Sequence, residues 1–237
     1  MSTSKPCILV VDDDREIVRV VRSYLEQGGY EVLATYDGNS ALQITRRYRP
    51  ALIVLDLMLP GQDGWQLTRK IRADHVLNDI PIIMLTARVE DTEKILGLEL
   101  GADDYITKPF SPREVVARVR SVLRRSQPNG LSDRSAVLQC GRLVMDTGRH
   151  EVLLDGKQIE LTVSEFAILR TLIENQGYAF TRSELIEQSL GYNYEGLERT
   201  LDSHIKNLRR KIEIDPRQPA YIQTIYGVGY RLVNGNE

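Results

Sequence analysis

The chain has 237 residues, of which 42% are hydrophobic and 27% charged, with 31 basic side chains against 33 acidic ones. That length predicts roughly one to two domains, and the balance excludes wholesale disorder and a fibrous chain. Apolar runs reach only about five residues, as in Cys7–Val11 and Ala51–Leu55, where a spanning helix needs ~18, so neither a membrane span nor a secretory signal is expected.

The first half alternates short apolar runs with helical patterns. The runs are Ile8–Val11, Tyr30–Thr35, Ala51–Leu55, Ile80–Leu85 and Tyr105–Thr107. Several are almost wholly apolar, which predicts strands covered on both faces. Ile17, Val21, Tyr24 and Leu25 share one helical face ahead of the stop signal Gly28-Gly29. Leu67 and Ile71 mark another helix. Ser111-Pro112-Arg113-Glu114 combines a capping box with proline at the first helical position and opens a helix to about Arg125. Five strands alternating with five helices predict an α/β domain over residues 1–125, a doubly wound five-stranded parallel sheet.

Residues 126–135 read SQPNGLSDRS, polar and aperiodic, which predicts a flexible linker. Residues 136–237 predict a separate α+β domain. Leu138–Asp146, Glu151–Leu154 and Ile159–Leu161 alternate around turn signals such as Asp155-Gly156. Capping boxes at Thr162-x-x-Glu165 and Thr181-x-x-Glu184 each open a helix, and a third runs from about Glu198 to Ile212. The chain then predicts a hairpin, Ile222–Tyr226 and Tyr230–Val233 around Gly227-Val228-Gly229. Cys7 and Cys140 lack any paired spacing, which argues against a disulfide or zinc framework and for the reducing cytoplasm.

Ligands of open parallel sheets bind where strands end and strand order reverses. There the first half places Asp12, Asp13 and Asp14 after the first strand, Asp56 after the third, Thr86 after the fourth and Lys108-Pro109 after the fifth. Carboxylates gathered together repel unless a cation joins them, and Mg²⁺ suits one or two carboxylates plus phosphate oxygens. A carboxylate nucleophile, a metal, a hydroxyl and a lysine suffice for phosphoryl transfer. A run of three aspartates also fits an ordinary solvated helix start, and Lys-Pro an ordinary turn or a cis peptide. The conjunction at the ends of one sheet favours the site.

The segments VVDDD, LDLMLPGQDGW, PIIMLTA, GADDYITKPF and SPREVVARV resemble the receiver domain of two-component response regulators, over residues 5–125. The resemblance implies that Asp56 accepts a phosphoryl group from a sensor histidine kinase. It implies Mg²⁺ on Asp13, Asp56 and the Met58 carbonyl, with Asp12 assisting through water. Thr86 and Lys108 are implied to bind the phosphoryl group, and Tyr105 to turn inward when Thr86 moves; the plain alternative for Tyr105 is a surface tyrosine with its hydroxyl in water. The likeness is to the OmpR/PhoB-type subfamily, whose active form is a homodimer built through the fourth helix, fifth strand and fifth helix. Matching charges are Lys94, Glu99, Asp103, Asp104, Glu114, Arg118, Arg120 and Arg125. The resemblance implies pairs Lys94–Glu114, Asp104–Arg118 and Glu99–Arg120 across a two-fold axis. An ordinary solvated face is the alternative.

In the second half Leu201, Ile205, Leu208 and Ile212 form one apolar stripe. The opposite face carries Arg199, Ser203, Lys206, Asn207 and Arg210, which suits the major groove as well as a solvated helix with a basic last turn. The segments RTLDSHIKNLRRKI and YIQTIYGVGYRL resemble the winged-helix DNA-binding domain of the same subfamily. That likeness implies phosphate contacts by Arg199 and His204, groove contacts by Lys206, Asn207 and Arg209, and a wing contact by Thr224. The helical wheel puts Arg210 nearer the centre of the outer face than Arg209 and leaves open which arginine reaches bases. Tyr226 stands where some relatives carry a minor-groove arginine, and packing is its alternative. The loop 191–198 touches RNA polymerase in some relatives.

The reading that results is a phosphorylation-controlled transcription regulator, not an enzyme, that binds double-stranded DNA, at direct repeats as the resemblance implies. A phosphatase of the haloacid dehalogenase type would also use a strand-end Asp, a hydroxyl and a Lys. It fits poorly, because Arg15 follows Asp14, Asp103 precedes Lys108, and Asp56 is left without a role. A regulator that works without phosphorylation is the third reading.

Overall fold

The computed structural model describes residues 5–61, 63–87, 100–126, 137–191 and 198–235, with the backbone alone at 87, 198 and 199. The chain forms two units, residues 1–123 and 124–237. The fourth helix expected before the fifth strand, its Lys94 and Glu99, most of the linker, and 192–197 of the loop lie outside the described residues.

In the first unit β1 (Cys7–Val11), β2 (Glu31–Thr35), β3 (Leu52–Asp56), β4 (Ile82–Ala87) and β5 (Asp104–Lys108) form a parallel sheet in the order β2-β1-β3-β4-β5. Successive side chains alternate between faces. Ile8, Val10, Leu52, Val54, Ile83, Leu85 and Ile106 pack under the helices Arg15–Gln27 and Pro112–Ser126. Leu9, Val11, Ile53, Leu55, Ile82 and Met84 pack under the helices Gly38–Tyr48 and Gly64–Arg72. Two covered faces account for the unbroken apolar runs: every residue of β3 is buried, Asp56 included. The chain leaves β1 for β2 on one side, and β3 lies on the other. The ends of β1 and β3 therefore flank the crevice where strand order reverses.

The second unit opens with an antiparallel meander, β6 (Val137–Cys140), β7 (Leu143–Asp146), β8 (Glu151–Leu154) and β9 (Lys157–Gln158). The third segment sits earlier than the sequence pattern places it. Asp155 and Gly156 both have positive φ, 52° and 75°, the geometry of a tight two-residue hairpin. Pairing therefore resumes at Lys157, and Ile159 adds only one bond, to the Val152 carbonyl. The helices Val163–Glu174 and Arg182–Leu190 both start with complete capping boxes, on Thr162/Glu165 and Thr181/Glu184. The helix Glu198–Ile212 follows, and β10 (Phe180–Thr181), β12 (Gly229–Leu232) and β11 (Ile222–Ile225) make a three-stranded sheet. Leu201, Ile205, Leu208 and Ile212 all enter the core, as the stripe predicts.

Candidate functional site

Three strand ends of the first unit supply one acidic pocket. Asp12 and Asp13 follow β1, and Asp56 is the last residue of β3. Each offers a carboxylate oxygen, and these oxygens lie within 4.8 Å of one another, with Asp12 and Asp56 buried and Asp13 exposed. Lys108, the last residue of β5, reaches across to both buried acids. Its Nζ lies 2.7 Å from Asp12 Oδ2 and 3.0 Å from Asp56 Oδ2. Thr86 is 1% exposed near the end of β4, in register with Thr107. The Lys108-Pro109 peptide is cis.

The aspartate run divides between both of its possible roles. Asp14 is a helix cap: its Oδ1 accepts the N–H groups of Glu16 and Ile17. Asp12 and Asp13 face the pocket, and the Asp14 N–H donates to Asp12 Oδ1 at 2.9 Å. Burial pushes the Asp12 carboxyl above the ordinary aspartate range, against the opposing pull of Lys108 and the Asp14 N–H. Burial by itself would lower the Lys108 ammonium, but its hydrogen bonds to Asp12 and Asp56 outweigh that and raise it. Lysine is thus held charged between two acids.

Two buried carboxylates and one exposed carboxylate form an all-oxygen donor set, which fits a hard divalent cation such as Mg²⁺. The Met58 side chain is 72% exposed, two residues past Asp56. Tyr105 is half-buried and packs on the Leu9–Val11 face of the sheet, so its body is not simply in water. Gly64 was not singled out by sequence pattern. A Cβ there would lie 2.6 Å from the Asp56 carbonyl oxygen and 2.9 Å from Leu57 Cα. Only glycine lets that helix start so close to the strand end.

The charges expected on the dimer face need correcting. Asp103 is 1% exposed and belongs to the interior: it accepts from Arg72 Nη2 and from the Ile82 N–H, both at 3.0 Å. Arg72 also donates to the carbonyls of Asn78, Ile80 and Gly101, so the pair closes the sheet's other end. Asp104 and Arg118 pair within the same chain at 3.2 Å and are buried, with Glu114 at 3.5 Å from Arg118. Helical spacing brings Arg118 under the first residue of β5, where a buried carboxylate needs a cation. Arg120 is exposed.

In the second unit the wheel overstates the open face of the long basic helix. Ser203 (4% exposed) and Asn207 (6%), which the wheel turns outward, and His204 (1%), which the family likeness makes a phosphate contact, are buried, so in this conformation they are not solvent-facing DNA contacts. A wheel assigns everything opposite the apolar stripe to water. This helix instead packs against both preceding helices, with Lys211 bonded to Glu165 of one and Asp202 to Arg182 of the other. Lys206 and Arg210 are exposed cations of its middle and last turns, Lys211 is exposed but paired with Glu165, and the Arg199 side chain lies outside the described residues. Arg209 is half-buried and turned toward the hairpin, donating to the Ile222 carbonyl and to Thr224 Oγ1. Tyr226 is 94% exposed at the hairpin tip, which removes the packing alternative.

Two further anchors escaped sequence reasoning. Glu213 accepts the N–H groups of Ala220, Tyr221 and Ile222, and Asp202 accepts from Arg182 Nε and the Tyr230 hydroxyl. Their partners lie 7 to 28 residues away, beyond the reach of any local pattern.

Comparison with known proteins gives two family matches: the response regulator receiver domain over residues 8–120, and the C-terminal domain of transcriptional regulatory proteins over residues 156–232. The chain is 44% identical to the transcriptional regulatory protein BaeR of Escherichia coli over 227 residues, 95% of this chain and 92% of the relative. It is 42% identical to the sensory transduction protein RegX3 of Mycolicibacterium smegmatis, over 95% and 98% of the two chains. Among solved structures it resembles DrrB, a Thermotoga maritima OmpR/PhoB homologue, with 36% identity, a TM-score of 0.53, and coverage of 97% of this chain and 100% of that one.

Proposed function

The chain belongs to the OmpR/PhoB-type family of two-component response regulators, and from that premise we propose that Asp56 is its phosphoacceptor and that phosphorylation controls promoter binding. The observation that carries the reading is Lys108 bridging Asp12 and Asp56 beside a third carboxylate.

In the proposed reaction an Asp56 carboxylate oxygen attacks the phosphorus of a phosphohistidine on the sensor kinase. The new O–P bond forms as the N–P bond breaks, and the imidazole nitrogen keeps the electron pair. Asp12, Asp13, Asp56 and the Met58 carbonyl would hold Mg²⁺, which supplies charge stabilisation for the transferring oxygens when bound. Lys108 already sits 3.0 Å from Asp56 and exchanges one carboxylate contact for a phosphoryl oxygen. The Thr86 hydroxyl donates to another oxygen, and Tyr105 follows Thr86 inward. That two-state change promotes homodimerisation through the fourth helix, fifth strand and fifth helix. The second unit then binds double-stranded DNA at direct repeats, through Lys206 and Arg210 of the basic helix, with Arg199 by family likeness, and through the Tyr226 tip of the wing. RNA polymerase meets the 191–198 loop. The protein acts in the cytoplasm; among the described residues no helix is long and apolar enough to cross a membrane.

A phosphatase of the haloacid dehalogenase type has little support. Its second acidic pair would be Asp103 and Asp104, which are buried in ion pairs at the start of β5, and the pocket lies at the strand's other end.

Incubation with a small acyl-phosphate donor and Mg²⁺ tests the reading. Intact mass should show one phosphoryl group per chain, released by alkali and by hydroxylamine as an acyl phosphate is, and absent from Asp56→Asn. Binding-site selection from random DNA, with and without donor, should recover repeated half-sites more strongly with it. Labelling of the Asn variant, or steady turnover of a phosphomonoester, would overturn the assignment.

A further inference from the structure

The hairpin's base is held by a charged network that runs to the basic helix, with Arg182 of the preceding helix joining it. Arg209 Nε and Nη2 lie 3.0 and 2.7 Å from the Ile222 carbonyl oxygen, and Nη2 is 2.9 Å from Thr224 Oγ1. Its guanidinium lies 5.7 Å from the centre of the Tyr230 ring, and that of Arg182 lies 5.2 Å from the same centre. Asp202 joins Arg182 to the Tyr230 hydroxyl, at 2.9 and 2.7 Å. One turn on from Arg209, Glu213 collects the N–H groups that begin β11.

Arginine reads a guanine by presenting two N–H groups side by side. In Arg209 the Nε–Nη2 edge is already spent on the hairpin. Using it on a base would leave the Ile222 carbonyl without those donors, at a cost comparable to what the base contact returns. Lys206 and Arg210 carry exposed cations on the same helix, and Tyr226 stands out at the end of the strand that Arg209 holds.

We infer that Arg209 is a positioning residue that locks the wing to the basic helix, so that Lys206, Arg210 and Tyr226 meet DNA at a fixed spacing. The inference rests on the DNA-binding reading above and assigns roles within it. A phosphate contact contributes about one unit to the slope of log affinity against log salt, whereas a positioning residue contributes affinity without slope.

The test uses the full chain, a duplex recovered from random-pool selection and a mixed-sequence duplex, with binding followed by fluorescence anisotropy over a salt series. Arg209→Ala should weaken binding of the selected duplex by about tenfold with an unchanged salt slope. Lys206→Ala and Arg210→Ala should each flatten the slope by about one. Tyr226→Ala should weaken the wild type but add little to Arg209→Ala, because an unlocked wing no longer presents the tip. Thr224→Val, which removes one hydroxyl only, should reproduce part of the loss and covers the case in which Arg209→Ala does not fold. A slope flattened by one in Arg209→Ala, or full additivity with Tyr226→Ala, overturns the inference. Wild-type chain that binds neither duplex overturns the DNA-binding reading itself, and the inference with it.

Discussion

Lys108 contacts two buried carboxylates at once, and the consequences are open to titration. Asp12 has its pKa raised by burial. For an acid whose folded pKa lies above its unfolded one, the unfolded chain releases its proton first as pH rises. Without divalent cation, stability should therefore fall as pH climbs from the ordinary aspartate range through the raised pKa of Asp12. Urea unfolding across acidic pH checks this, and Asp12→Asn should remove that part of the profile. A cation competes with the same proton, so Mg²⁺ affinity should rise across the same interval, measurable by calorimetric titration. Lys108 is raised as well, which favours its charged form: it stays charged through neutrality, and the stability it lends is lost in the same direction, as pH rises from the ordinary lysine range through that raised value. Lys108→Ala should leave Asp56 facing Asp12 without a cation between them, slowing phosphorylation by a small acyl-phosphate donor by about tenfold or more, read by mass spectrometry.

At the scale of elements, the aspartate run and Gly64 show where local pattern succeeds and where it stops. Strand ends place Asp12, Asp13, Asp56, Thr86 and Lys108 together because parallel strands run in one direction and finish at one edge. That much follows from alternation and order. Which aspartate caps the helix does not, since all three precede a helix start and only the bonds from the Glu16 and Ile17 N–H groups identify Asp14. Gly64 looks like a turn residue in sequence, yet its helix begins against the Asp56 backbone. Gly64→Ala should overpack that contact, cost about 1–3 kcal/mol in urea unfolding and slow phosphorylation of Asp56 in the same variant. Thr181→Ala should remove a capping box at a cost of about 1 kcal/mol, visible as a lower urea midpoint with unchanged slope. The capping boxes were legible because their partners lie three residues apart. The dimer-face positions Asp103 and Asp104 came from family likeness, which does not tell that each side chain is buried, one against Arg72 and one against Arg118.

For the molecule as a whole, two units of different architecture imply a signal received in one and used in the other. With Mg²⁺ and beryllofluoride the chain should sediment as a dimer, and Arg120→Glu should weaken that dimer without changing the phosphorylated mass of the monomer. The Asp104–Arg118 pair closed within one chain predicts more than loss of a surface contact: Asp104→Asn should leave Arg118 buried without its full charge partner and lower stability by about 3 kcal/mol or more. By itself the sequence determined the two architectures, the strand-end constellation and the amphipathic helix with its hairpin. Each of these is written in periodicity, caps and order over a few neighbouring residues. Only the tertiary structure decided which charges are spent inside: Asp103 on Arg72, Arg118 on Asp104, Arg209 on the hairpin. An ion pair forms between residues brought together by packing, and a buried charge must find its partner wherever the fold puts one, at separations that no local pattern encodes.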